Sequence, residues 1–188
     1  VDIVDQAELG YKYQGDMLDL YSTFFYAETS LSSFDFTQTP SQLDKDYEIF
    51  GLELEFSLDL GPLGVSGSAT WTDAEIVSDA NDASINGNVP RRQADFIYNV
   101  EVSNQNDFLT MGMILVGTTD SYQDDANTIK HDGFQTVGLF AIYDINEQFS
   151  IEGAVNNLFD TFGVTEQGGG GYRVINGRTS SITTRFRF

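Results

Sequence analysis

The chain predicts an all-β fold, an antiparallel up-and-down transmembrane β-barrel with about nine strands present. Three observations lead there. Apolar residues recur with a period of two over long segments. The links between those segments alternate between short and long. Aromatic residues gather at both ends of the segments.

The segments can be taken in order. Residues 5–13 set Leu9, Tyr11 and Tyr13 against Glu8, Gly10 and Lys12. In 17–27, Leu18, Leu20, Phe24 and Tyr26 oppose Asp19 and Thr23. The segment 47–60 is the clearest. Phe50, Leu52, Leu54, Phe56, Leu58 and Leu60 alternate with Gly51, Glu53, Glu55, Ser57 and Asp59, which places every apolar group on one face of a strand. A strand at 63–73 ends on Trp71, and in 92–102 Ala94, Phe96, Tyr98, Val100 and Val102 alternate with Gln93, Asp95, Asn99 and Glu101. Segments 107–117 and 134–144 are apolar on both faces, so that Ile114, Val116, Phe140 and Ile142 fall on the interior side. Either the register differs there or these residues touch something inside the barrel. Strands at 147–158 and 178–188 complete the series, the last with Ile182, Thr184, Phe186 and Phe188 opposite Thr183, Arg185 and Arg187.

Short links fall at Gln14-Gly15-Asp16, Gly61-Pro62, Asn104-Gln105-Asn106 and Asn146-Glu147, and long ones at 28–46, 74–91, 118–133 and 159–177. Outer-membrane barrels have short periplasmic turns and long extracellular loops. Phe24, Tyr26 and Trp71 lie beside the long loops; Tyr13, Phe108, Tyr143, Phe149, Phe186 and Phe188 lie at the other end. Two such girdles mark the two membrane interfaces. The absence of any run of 18 apolar residues argues against a transmembrane helix, and a mean hydropathy of −0.22 fits alternating strands.

Composition narrows the function. Nine Lys and Arg stand against 29 Asp and Glu, a formal net charge of −20, which repels phosphate backbones and argues against nucleic acid as a partner. Fifteen Phe and 9 Tyr are too many for a disordered acidic chain. With no Cys, disulfides and thiolate metal sites do not arise.

Ala154-Val155-Asn156-Asn157-Leu158-Phe159-Asp160 resembles the V-x-N-L-F-D signature that precedes the last extracellular loop of TonB-dependent receptors. Gly177-Arg178-Thr179, leading into a strand that closes on Phe188, is similar to that family's C-terminus; Gly51-Leu52-Glu53-Leu54-Glu55 looks like its G-x-E-x-E strand. The resemblance implies the C-terminal strands of a larger barrel of 22 strands. It also implies an N-terminal plug domain and a TonB box that the sequence does not contain. The implied role is import of a scarce nutrient, such as an iron chelate or oligosaccharide, across the outer membrane of a Gram-negative bacterium. Energy would come from the TonB complex. The implied partners are outer-membrane lipid, the plug, the small ligand and the assembly machinery, which would read Phe186 and Phe188. The alternative is a self-contained small barrel with a structural or adhesive role.

Candidate chemistry is sparse. Phe34, Phe36, Tyr122, Tyr172 and Arg173, all in long loops, offer aromatic faces and a cation to a ligand. Alternation turns Glu53 and Glu55 inward, where the resemblance implies a plug with basic residues to meet them. His131 reads as an incidental exposed residue, and the acidic stretches 73–82 and 120–125 as solvated loops without calcium-loop spacing. Gly168-Gly169-Gly170-Gly171 reads as a flexible loop tip. With no nucleophile clearly paired with His131, no enzyme is expected, and no metal or cofactor.

Overall fold

The computed structural model describes residues 3–34, 42–168 and 170–188, with backbone alone at 33–34, 42–43 and 168. Its strands are β1 (Ile3–Gln14), β2 (Leu18–Phe34), β3 (Gln42–Leu60), β4 (Leu63–Asp79), β5 (Phe96–Gln105), β6 (Leu109–Thr118), β7 (Ser121–Tyr122), β8 (Lys130–His131), β9 (Phe134–Asp144), β10 (Phe149–Asn156), β11 (Val164–Gly168), β12 (Gly171–Val174) and β13 (Thr179–Phe186). Nine of them form one antiparallel sheet in the order β1-β2-β3-β4-β5-β6-β9-β10-β13. Each is joined to the next as an up-and-down meander, while β7–β8 and β11–β12 are small hairpins within two long loops. The sheet is open: β1 and β13 occupy its opposite ends.

The register follows the alternation. Leu9, Phe24, Leu52, Trp71 and Phe96 form one row across five strands, and Leu58, Val65, Val102, Met113, Leu139 and Val155 belong to rows nearer the short turns. From the row of Leu52 and Trp71 down to the turns, this face carries no Asp, Glu, Lys or Arg; Asp73, opposite Phe50, stands just above it. The reason is physical. A cation at the bilayer midplane costs about 2–4 kcal/mol, so a lipid-facing surface excludes it. The opposite face holds Glu53, Glu55, Glu101 and Glu152. Ile114, Val116, Phe140 and Ile142 also lie on this polar face, so the register is the expected one.

Aromatic rings close the apolar band at both ends. Phe50 meets Phe24 edge-on at 4.9 Å and Trp71 at 5.7 Å on the long-loop side. At the turns, Phe108 packs on Tyr143 at 5.9 Å and Phe149 on Phe186 at 6.2 Å. Bare glycines make room for rings on the polar face. A Cβ at Gly51 would strike the Phe25 ring, and one at Gly112 would lie 2.5 Å from Phe140 Cζ.

Three expectations need correction. The strands β2, β3 and β4 run 17, 19 and 17 residues, whereas about 9–11 suffice to cross a bilayer. Much of the expected loops 28–46 and 74–91 is therefore strand that rises past the membrane. Ladder pairing continues there between water-exposed residues, with Ser30 and Ser78 hydroxyls both donating to Asp46, at 2.7 and 2.6 Å. Secondly, the strand expected from 92 begins at Phe96, because Arg92 has φ +63° and lies in the left-handed region. Thirdly, the expected loop 159–177 is not without strands: β11 and β12 lie in it, and the glycine run forms the tip of their hairpin, with Gly168 paired to Gly171.

One irregularity shapes the rim. Tyr47 pairs with Ile76 but Asp46 pairs with Ser78, so Val77 is an extra residue bulged into β4. Above it the faces exchange. Asp79, which strict alternation would turn outward, is buried opposite Lys45.

Candidate ligand-binding rim

Three long loops meet above the membrane band. The loop between β4 and β5 folds back along β4, where Ile76 and Asn88 exchange backbone bonds with Gly87 and one another: Gly87 N–H donates to Ile76 O at 2.8 Å, and Ile76 N–H donates to Asn88 O at 2.9 Å. Its side chain Ile85 and the strand residue Ile76 are buried. Asn127, in the β7–β8 loop, locks onto this loop by accepting from Val89 N–H at 3.0 Å and donating to Val89 O at 2.8 Å.

Ion pairs add to the lock. Lys45 Nζ lies 3.0 Å from Asp79 and 2.6 Å from Asp125, and Asp125 also accepts from the Arg91 amide at 3.0 Å. Burial alone would push both carboxyls up. The Lys45 ammonium and the loop N–H donors override it and hold Asp79 and Asp125 below the ordinary carboxylate value. The other loop carboxylates serve loop geometry in the same way. Asp124 caps the turn by accepting from the amides of Thr128 and Ile129, and Asp120 accepts from the Gly133 amide while pairing with Lys130.

The third loop closes over the polar face of the sheet. Gly163 is buried so tightly against the Phe134 ring that a Cβ would not fit. The β11–β12 hairpin is tied to its neighbours by two contacts. Gln167 N–H donates to Gln123 Oε1 at 2.8 Å, and Glu166 Oε1 lies 2.7 Å from Arg92 Nη2. Beneath it lies a recess of about 290 Å³, lined by Ile97, Val116 and Phe134 from the strands, Val164 and Thr165 from the hairpin, and Arg92. Here Val116, apolar on the interior side, lines the recess and stays exposed. Larger apolar grooves, such as that lined by Leu63, Val102, Met111 and Leu139, lie on the lipid-facing side.

The rim sorts the residues singled out from sequence. Arg173 stands beside Glu166, its Nη1 3.1 Å from Oε2. Tyr122, in β7, accepts from the Arg92 amide through its carbonyl at 2.6 Å. Tyr172 is exposed on β12. Phe36 lies outside the described residues, and at Phe34 only the backbone is described. Glu53 and Glu55 are exposed on the polar face, opposite Thr70 and Ser68, and far from the rim recess in chemistry as well: the ion pairs among the described residues involve neither. Phe186 and Phe188 stack on each other at 5.2 Å beside the last turn. His131 corrects its reading. It is 7% exposed rather than open to solvent, and its Nε2 sits 3.1 Å from Gln123 Oε1. Because that oxygen can only accept, Nε2 carries the proton.

Arg92, Glu166, Gln123 and Lys45 were missed by sequence reading. The adjacent Arg91 and Arg92 in an acidic loop were the one available signal; their partners are too distant in the chain to be read.

The comparisons with known proteins agree with this architecture. A family model described as TonB dependent receptor-like, beta-barrel, matches residues 3–158. The ferric-pyoverdine BN7/BN8 receptor of Pseudomonas putida is 27% identical over 145 residues, covering 77% of this chain and 17% of that protein. Among solved structures, the unliganded ferric citrate transporter FecA superposes with a TM-score of 0.86 at 18% identity, covering 98% of this chain and 31% of that one. The siderophore receptor PiuA from Acinetobacter baumannii gives 0.81 at 20% identity, over 96% of this chain and 28% of that one. The chain thus spans about a sixth of the curated relative and less than a third of these structures.

Proposed function

Because the chain belongs to the TonB-dependent receptor family through its β-barrel, we propose that it forms part of the wall and rim of an outer-membrane receptor importing an iron chelate. Members of the family are transporters, not enzymes. The observation that carries the reading is the pairing of a charge-free lipid band with a rim whose three loops enclose a recess on the polar face. The first property suits a Gram-negative outer membrane and the second suits capture of a small molecule from outside.

Similar proteins named for ferric pyoverdine and ferric citrate favour an iron chelate over an oligosaccharide. Transport would then need a plug in the barrel lumen and the TonB complex of the inner membrane. The open strand order supports a larger barrel over a self-contained small one, since in the latter β1 and β13 would pair. The test is uptake of iron-55 chelates by iron-limited cells expressing the full-length receptor, with and without TonB. Uptake that requires both is expected. Equal uptake in receptor-null cells across siderophore classes would overturn the reading.

A further inference from the structure

We propose that Arg92 and Arg173, bridged by Glu166, form an anion-docking pair for the ligand, with Glu166 as a built-in competitor that the ligand's anionic group displaces. The proposal rests on the iron-chelate reading above and adds the charge class and the residues.

The argument begins with scarcity. Only nine basic residues occur against 29 acidic ones. At the rim, Lys45 faces two carboxylates and Lys130 faces Asp120. Those cations are spent on structure. Arg92 and Arg173 reverse the ratio, since two guanidinium groups share one carboxylate, at 2.7 and 3.1 Å. Within the Arg92–Glu166–Arg173 trio this leaves one cation in excess, in a strongly acidic surface.

The pair is also accessible and positioned. The Arg92 side chain is 46% exposed and that of Arg173 82%, while Glu166 between them is 24% exposed. Arg92 is held from behind: its backbone, at φ +63°, donates to Tyr122 O at 2.6 Å. Its side chain lines the recess whose strand side is apolar. A ligand with an anionic edge and an apolar or aromatic body fits this arrangement. Asp132 also lines the recess, so the anionic edge belongs at the Arg92 end. Each guanidinium can grip an oxyanion through two parallel N–H bonds, replacing what Glu166 supplies. Displacing Glu166 would also free the β11–β12 hairpin from Arg92, leaving the Gln167–Gln123 bond as its tether.

The test uses cells bearing the full-length receptor, with iron-55 as ferric citrate and ferric enterobactin-type tris-catecholate (anionic) and ferric ferrichrome-type hydroxamate (neutral) as probes. Arg92→Gln with Arg173→Gln should weaken binding of whichever anionic probe the wild type takes by at least tenfold. Glu166→Gln should strengthen it several-fold, a gain that a merely structural role would not produce. Wild-type binding indifferent to the double substitution, weaker binding in Glu166→Gln, or capture of the neutral probe alone would each overturn the inference. Wild-type cells that bind none of the chelates would overturn the iron-chelate reading itself.

Discussion

Lys45 Nζ in β3 lies 2.6 Å from Oδ2 of Asp125, a contact made across 80 positions of chain. Burial opposes charge on all three members of the Asp79–Lys45–Asp125 cluster, but mutual pairing and the loop N–H donors win: both carboxyls are held below their ordinary value and the ammonium above its own. A depressed carboxyl stabilises the closed loops above its ordinary value and loses that contribution as pH falls through the lowered one. A raised ammonium stabilises below its ordinary value and fails only as pH rises through the raised one. The lock therefore holds throughout the neutral range and weakens in acid.

Lys45→Met should cost the rim about 1–3 kcal/mol of local stability, the loss of charged hydrogen bonds from a half-buried site. Hydrogen exchange at the amides of Val89 and Arg91 should quicken by the corresponding factor, while the amides of 50–60 keep their protection. Unchanged exchange at both loop amides would count against the lock. In the wild type, the same amides should lose protection as pH falls below the ordinary carboxylate range.

Leu54→Arg and Ser68→Arg test the two faces. Leu54 lies on the charge-free face and Ser68 on the polar one, directly across from Glu55. In bilayers the first should lower folding stability by about 2–4 kcal/mol and the second by under about 1 kcal/mol. Urea unfolding of the full-length receptor measures both, and equal losses would contradict the register.

Gly112→Val should destabilise by about 1–3 kcal/mol, because the new side chain meets the Phe140 ring and the Val102 carbonyl, 2.8 Å from its Cβ. Adding Phe140→Ala should recover part of the loss by vacating the ring's position. No recovery would point to the backbone contact as the whole cause.

Glu53 and Glu55 share the polar face two positions apart, where we propose that at least one meets an Arg of a plug domain. Gln at both positions in the full-length receptor should alter iron uptake and quicken hydrogen exchange in the plug. Unchanged values for both would leave the two as ordinary solvated carboxylates.

Phe188→Ala should reduce the amount of receptor reaching the outer membrane several-fold, read as heat-modifiable barrel on gels, if Phe186 and Phe188 form an assembly signal. Wild-type levels would remove that role.

What the sequence made legible was what the bilayer dictates. Lipid tolerates no charge on Leu52, Leu54 or Phe56, and so the alternation with Glu53 and Glu55 survives as a readable period. Above the aromatic rows water solvates both faces, and Glu28, Ser30, Asp46 and Ser78 pair in register with no periodic trace. His131 looked exposed because a polar loop surrounds it in sequence; the β7–β8 pairing that buries it is only two residues long on each side. Of the proposed ligand contacts, Arg173 could be named from composition, but Arg92 was absorbed into a strand that a left-handed backbone prevents.

The extra residue at Val77 bears on how such a rim can diversify. Below it, each side chain is committed to lipid or interior, and a one-residue slip would invert them all. Above it, the count starts afresh, with Asp79 turned inward to meet Lys45. Insertions and deletions in the loop that follows can therefore accumulate without changing the face of a single residue between Leu63 and Trp71. The bulge separates two sets of constraints: beneath it each side chain answers to lipid or lumen, and above it to loop packing and water alone.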